Sequence, residues 1–163
     1  MNTLKCFVFV CGVVLYWAVV SSAQSGGIIP YPSDYRKWTH VKSGIIDPGN
    51  PLFARYGGMH HIYANTKAIE GFRTGRFRNG SVIVFDVLEL QRRNAAASEG
   101  PRRFIDVMQK DNGRFEKTGG WGFEKFRGSS RTERVLNETA KIGCFNCHAG
   151  QKARDYVFSS FRE

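Results

Sequence analysis

The chain has 163 residues, with 24 Lys and Arg against 14 Asp and Glu for a net charge of +10, and it is 42% hydrophobic and 13% aromatic. That length supports one domain with a core of its own and excludes a multidomain enzyme, a multispan transporter and a disordered tail. Its four cysteines, two of them at Cys6 and Cys11, do not make a disulfide-rich scaffold.

Lys5, the apolar run Cys6–Val20 and the small residues Ser21-Ser-Ala23 predict a secretory signal peptide over residues 1–23. Its removal would leave residues 24–163 as a single domain with no membrane span, exported to the periplasm. Gly26 to Asp34 reads as an extended lead-in, and the segment from Tyr35 to Lys42 as opening on a short helix. A Pro/Gly/Asn loop follows at Asp47–Pro51. Met59–Ala64 reads as a strand and Thr66–Phe72 as a short helix.

Asn79-Gly80 is a turn signal ahead of Ser81-Val-Ile-Val-Phe-Asp-Val-Leu-Glu-Leu90, whose β-branched and aromatic content predicts a buried strand. Phe104–Gln109 and Gly119–Arg127 are two further strand candidates, with Asn94–Gly100 an exposed loop before them. From Ser130-Arg-Thr-Glu133 the pattern changes to a capping-box start, with Val135, Leu136, Ala140 and Ile142 at helical spacing and Gly143 as the stop. Strands first and a helical C-terminus predict an α+β fold, mostly antiparallel sheet with flanking helices.

Cys144-Phe-Asn-Cys147-His148 is the attachment signature of a c-type haem. Two thiols three residues apart can bond the two vinyl groups of one haem, and the next residue's imidazole then falls under the iron. A thioredoxin-like pair wants an earlier position, after a strand and opening a helix. A zinc site would need two more ligands, which His60-His61 could supply, and a plain disulfide is the third alternative. On the haem reading, His148 is the iron ligand and one covalent haem c the cofactor. The candidates for the position opposite His148 are Met59, Met108, His40, His60 and His61. A strong sixth ligand suits electron transfer, and an open position suits small ligands.

Beyond this motif, the chain from Tyr31 to Arg162 resembles the cytochrome P-460 family, which includes the cytochromes c′-beta. The matching pieces are Tyr35-Arg-Lys-Trp38, His60-His-Ile-Tyr-Ala-Asn65, Thr74-Gly-Arg-Phe-Arg-Asn-Gly-Ser-Val-Ile-Val84, Asp106-Val-Met-Gln-Lys-Asp111, Gly119-Gly-Trp-Gly-Phe-Glu124 and Asp155-Tyr-Val-Phe158. The resemblance implies an antiparallel β fold with flanking helices, often dimeric, and a five-coordinate haem with His148 proximal. Members that oxidise hydroxylamine carry a lysine cross-linked to the haem where this chain has Phe85, which has no amine. Cytochromes c′-beta crowd that face with phenylalanines instead. Lys67 and Lys125 are the fallback lysines, expected at the surface. His60 stands where hydroxylamine-oxidising relatives have an arginine.

His60, Phe85 and Asp86 are therefore the distal-pocket candidates, with Glu124 a further carboxylate near it. The resemblance implies a protein that binds nitric oxide or a related nitrogen species. The alternatives are an enzyme acting on hydroxylamine or peroxide, and a six-coordinate electron carrier. The basic charge would suit an acidic redox partner, and nothing resembles a nucleic-acid module.

Overall fold

The computed structural model describes residues 27–162; the predicted signal peptide lies outside them. Five strands form one antiparallel meander in chain order: β1 (Thr39–Ile46), β2 (Gly58–Ala64), β3 (Val82–Arg93), β4 (Ala96–Lys110) and β5 (Trp121–Arg127). Among the described residues three α-helices accompany them: α1 (Phe53–Tyr56), α2 (Thr66–Thr74) and α3 (Glu138–His148), the last running into a 3-10 segment at Ala149–Arg154. The class is α+β, as the order of elements predicts. No helix among the described residues is long and apolar enough to cross a membrane.

Alternation along the strands divides the sheet into two faces. Ile62, Ala64, Ile83, Trp121 and Phe123 point to the face that α2 and the C-terminal segment cover, joined by the partly buried Phe85, Met108, Cys144 and Phe145. Val84, Ile105, Val107 and Phe126 point to the other face, under Ile29 and Tyr35 of the lead-in. Register confirms the division: Phe85 lies between Ile62 and Asp106, and Asp106 pairs Lys125, whereas Asp86 lies between His61 and Ile105.

Two segments differ from the sequence reading. Only Tyr35–Lys37 forms a helical turn, and Thr39 onward is the edge strand β1. Its residues are largely exposed, so the apolar alternation that marks a strand is absent, and pairing with β2 decides the conformation. Asn94–Gly100 is not a loop. β3 and β4 continue as an exposed ribbon to the pair Arg93↔Ala96, closed by Asn94 and Ala95 at φ 50° and 61°. Two successive left-handed residues match the twist of a tight hairpin.

The helices follow local chemistry. Asn65 caps α2, its Oδ1 accepting from Ala68 N at 2.9 Å, and Gly75 ends it at φ 74°. For α3 the cap is Asn137, accepting from Ala140 N at 2.8 Å. Ser130 Oγ does accept from Glu133 N at 2.9 Å, but this closes a turn. Beyond it Arg134 bridges Phe126 and Val135 N donates to Lys125 O, holding the chain extended along β5. Gly143 sits inside α3 and does not stop it.

Candidate functional site

Because α3 continues past Gly143, Cys144 and Cys147 lie one helical turn apart and His148 closes the helix. Both thiols are free, Cys144 half-buried and Cys147 exposed. The disulfide reading is therefore not the state of this structure. Nor do His60 and His61 complete a zinc site: among the described residues no three His, Cys, Asp or Glu side chains are grouped to hold a metal ion. Burial pushes the Cys144 thiol upward, and the nearby Asp106 carboxylate adds to the effect.

His148 is held from behind. Its Nδ1 lies 2.8 Å from the carbonyl oxygen of Tyr156. A carbonyl only accepts, so Nδ1 carries the proton and Nε2 keeps its lone pair for a ligand bond. Phe123 and Phe158 flank the ring, with centroids at 5.2 and 4.9 Å. Burial lowers the imidazole's pKa, partly offset by the bond to Tyr156, and favours the neutral form that a metal needs.

On the same face of the sheet, His60 and Phe85 are stacked obliquely at 4.8 Å between centroids. Tyr56, from α1, adds its ring edge-on to Phe85 at 6.0 Å and to Phe104 at 6.2 Å. His60 lies across β1 at Gly44, where a Cβ would come within 2.7 Å of the imidazole. Burial, followed by His61 and Lys42, lowers its pKa and keeps it neutral. Its Nδ1 is buried with no hydrogen-bond partner among the described residues.

Asp106 and Lys125 share this face, and their roles were missed in the sequence. Their ion pair is 3.0 Å long, and Lys125 Nζ stands 3.3 Å from the centroid of Phe104. Burial pushes the Asp106 carboxyl up to about 6 against the pull of Lys125. The available signal was alternation, since Phe104 and Met108 are the residues that flank Asp106 on the apolar face of β4. Lys125 accordingly is not the surface lysine expected; Lys67 is exposed.

Asp86 does not share the face of His60 and Phe85. One residue beyond Phe85, it points to the opposite face, fully buried. There it accepts from Tyr35 Oη at 2.7 Å, Arg36 Nη2 at 3.0 Å and Arg102 Nε at 2.6 Å. Glu124 is likewise on that face, accepting from Arg134 at 2.9 Å. Among the possible sixth ligands, His40 and His61 lie on that face too, with ring centroids 6.0 Å apart, and Met59, two residues before His61 on β2, shares it. Met108 and His60 remain on the side of the cysteines.

Two free thiols at the required spacing, a neutral histidine with its Nδ1 already engaged, and an apolar cluster beside Cys144 together fit a haem group. Cys144 and Cys147 would hold its edge and His148 its iron. No curated protein matches the chain. The profile of one family, cytochrome P-460, matches residues 32–159, a span that takes in every strand and all of α3. The chain belongs to the cytochrome P-460 family of haem-binding cytochromes.

Proposed function

We propose that the protein is an exported, periplasmic mono-haem c-type cytochrome that binds nitric oxide or a related small nitrogen species at a five-coordinate iron. The observation that carries this reading is the sharing of one apolar cluster by Cys144 and Phe85, which brings the attachment motif and the aromatic wall together. Cys144 and Cys147 would bond the haem, and His148 would ligate its iron through Nε2. The haem supplies the bond to the diatomic ligand; the chain selects what reaches it. Phe85 and Phe104 make the space apolar, which favours neutral diatomics over anions. His60, stacked against Phe85 at 4.8 Å, is a polar group able to donate one hydrogen bond. The protein acts as a homodimer, and its basic charge steers an acidic redox partner.

His60 also supports a second reading. A neutral imidazole whose Nδ1 is buried and unpartnered could close the sixth position and make an electron carrier. An enzyme oxidising hydroxylamine would have to draw its cross-linking amine from Lys125, because Phe85 has none; a peroxide-reducing one would lean on His60.

Optical spectra of the purified protein, oxidised and reduced, before and after nitric oxide, separate these readings. A high-spin reduced spectrum that shifts with nitric oxide is expected. A low-spin spectrum indifferent to it would replace the ligand-binding reading with the electron carrier, and a strongly red-shifted reduced band would assign a cross-linked lysine.

A further inference from the structure

Behind the proximal histidine the backbone does something unusual. Asp155 and Tyr156 are consecutive non-glycine residues with φ of 49° and 66°. Left-handed φ is unfavourable for residues that carry a side chain. Such geometry persists only where the surroundings over-determine it.

They do so here, and nearly every contact converges on Asp155. Its Oδ1 accepts from Lys110 Nζ at 2.7 Å and its Oδ2 from Phe77 N at 2.8 Å. Its carbonyl accepts from Trp121 Nε1 at 2.8 Å, and its amide donates to Lys152 O at 3.1 Å. Lys110 is itself buried at the end of β4, donates to Gly119 O at 3.0 Å and lies over the Trp121 ring at 5.1 Å. Three parts of the fold therefore grip one aspartate: β4, β5 and the connection from α2 to β3. The next residue delivers the result, for Tyr156 turns its carbonyl onto His148 Nδ1 at 2.8 Å.

A buried ion pair is a poor means of gaining stability, because desolvation offsets most of the attraction. It is a good means of fixing direction. We propose that Asp155, locked to Lys110, is a positioning residue for the proximal ligand. By holding the left-handed turn it aims the Tyr156 carbonyl, which sets the orientation of the His148 imidazole and the donor strength of its Nε2. An Nδ1–H that donates well makes the opposite nitrogen more basic. The inference rests on the reading of His148 as the ligand of a covalent haem.

The test uses the haem-loaded protein and its Asp155→Asn, Lys110→Met and Asp155→Asn/Lys110→Met variants. Four quantities are measured: covalent haem by the pyridine haemochrome, the Fe–His stretch of the ferrous form by resonance Raman, the reduction potential, and stability by thermal unfolding. Asparagine tolerates left-handed φ, so Asp155→Asn should retain the haem. The expected result is a lower Fe–His frequency and a raised potential in all three variants. The double variant is informative because it restores charge balance: stability should recover while the Fe–His frequency stays low. Asp86→Asn, on the far face, is the control, expected to lower stability without moving that frequency.

Unchanged frequency and potential in a haem-loaded Asp155→Asn protein would overturn the proposal, leaving Asp155 as a packing anchor only. Hydrogen exchange in the unaltered holoprotein gives a check free of folding effects. His148 Nδ1–H should be as protected as Trp121 Nε1–H, since both hang on the same turn, and rapid exchange of the former would equally overturn it. A native protein with no covalent haem would instead overturn the parent reading, and this inference with it.

Discussion

Phe85 and Asp106 occupy neighbouring positions on one face of the sheet, yet their side chains do opposite work. Phe85 is half-buried against His60 and Tyr56. Phe85→Ala should cost about 2 kcal/mol, below the usual range for a fully buried phenylalanine. On the proposed function it should also speed nitric oxide association, read by stopped-flow absorbance. An unchanged rate would remove Phe85 from the ligand's path. Asp106 is a charge problem, its carboxyl pushed up to about 6 by burial. Below the ordinary value of 3.8 it is protonated whether the chain is folded or not. As pH rises from there to about 6, the unfolded chain releases its proton first, so the folded state loses stability. Asp106→Asn has no such loss. Urea unfolding over this window should show the native protein weakening relative to the variant, and parallel curves would refute the shifted carboxyl.

At the scale of elements, α3 does most to make the site. It is 11 residues long and contains no fully buried residue; Cys144 and Phe145 pack only partly against the core, so its own helical propensity counts. Gly143 lies in its interior, away from the positive-φ glycines, and nothing stands within 4 Å of where a Cβ would go. Gly143→Ala should therefore stabilise the helix by about 1 kcal/mol. A true helix-ending glycine would give the opposite sign, so thermal unfolding of this one variant decides the matter.

The attachment motif, β2, α2, β5, most of β3 and the inner end of β4 were legible in the sequence, from the motif's spacing, apolar patterning and turn residues. The edge strand β1 and the outer β3–β4 ribbon were not. Both are exposed, and an exposed strand is specified by backbone pairing, which leaves no apolar pattern to read. The start of α3 was misplaced for a related reason: Ser130 makes its capping hydrogen bond, but pairing along β5 prevents the chain from turning helical until Asn137. Asp86 shows the limit at the site itself. A resemblance names positions, whereas the period of a strand decides which face each one serves.

At the scale of the molecule, the candidate site shares its face of the sheet with the Asp106–Lys125 pair, and the Asp86 cluster holds the other face. Burial alone would raise the Asp86 carboxyl, but hydrogen bonds from Arg102, Tyr35 and Arg36, with the charge of Arg102, bring it below its ordinary value. Such a group contributes stability above the unfolded pKa of 3.8 and loses it as pH falls through the lower folded value. Asp86→Asn leaves Arg36 and Arg102 facing each other and should cost about 3 kcal/mol at neutral pH. The gap between native and variant midpoints should close in acid, below pH 3.8. A gap that persists there would mean that shape, not charge, holds the cluster. The lead-in from Ile29 to Trp38 depends on this cluster through Tyr35 and Arg36, so its protease sensitivity should rise with the same substitution.

The meander also has a temporal meaning. Every strand pairs with its neighbour in the chain, so the sheet can zip up from short loop closures alone, without waiting for the C-terminal segment. The helix that bears the cysteines emerges last, lies on the finished sheet with no fully buried residue, and leaves Cys147 open to solvent. On the proposed function, the sheet can thus be complete while Cys147 is still open to whatever machinery would join the haem to it.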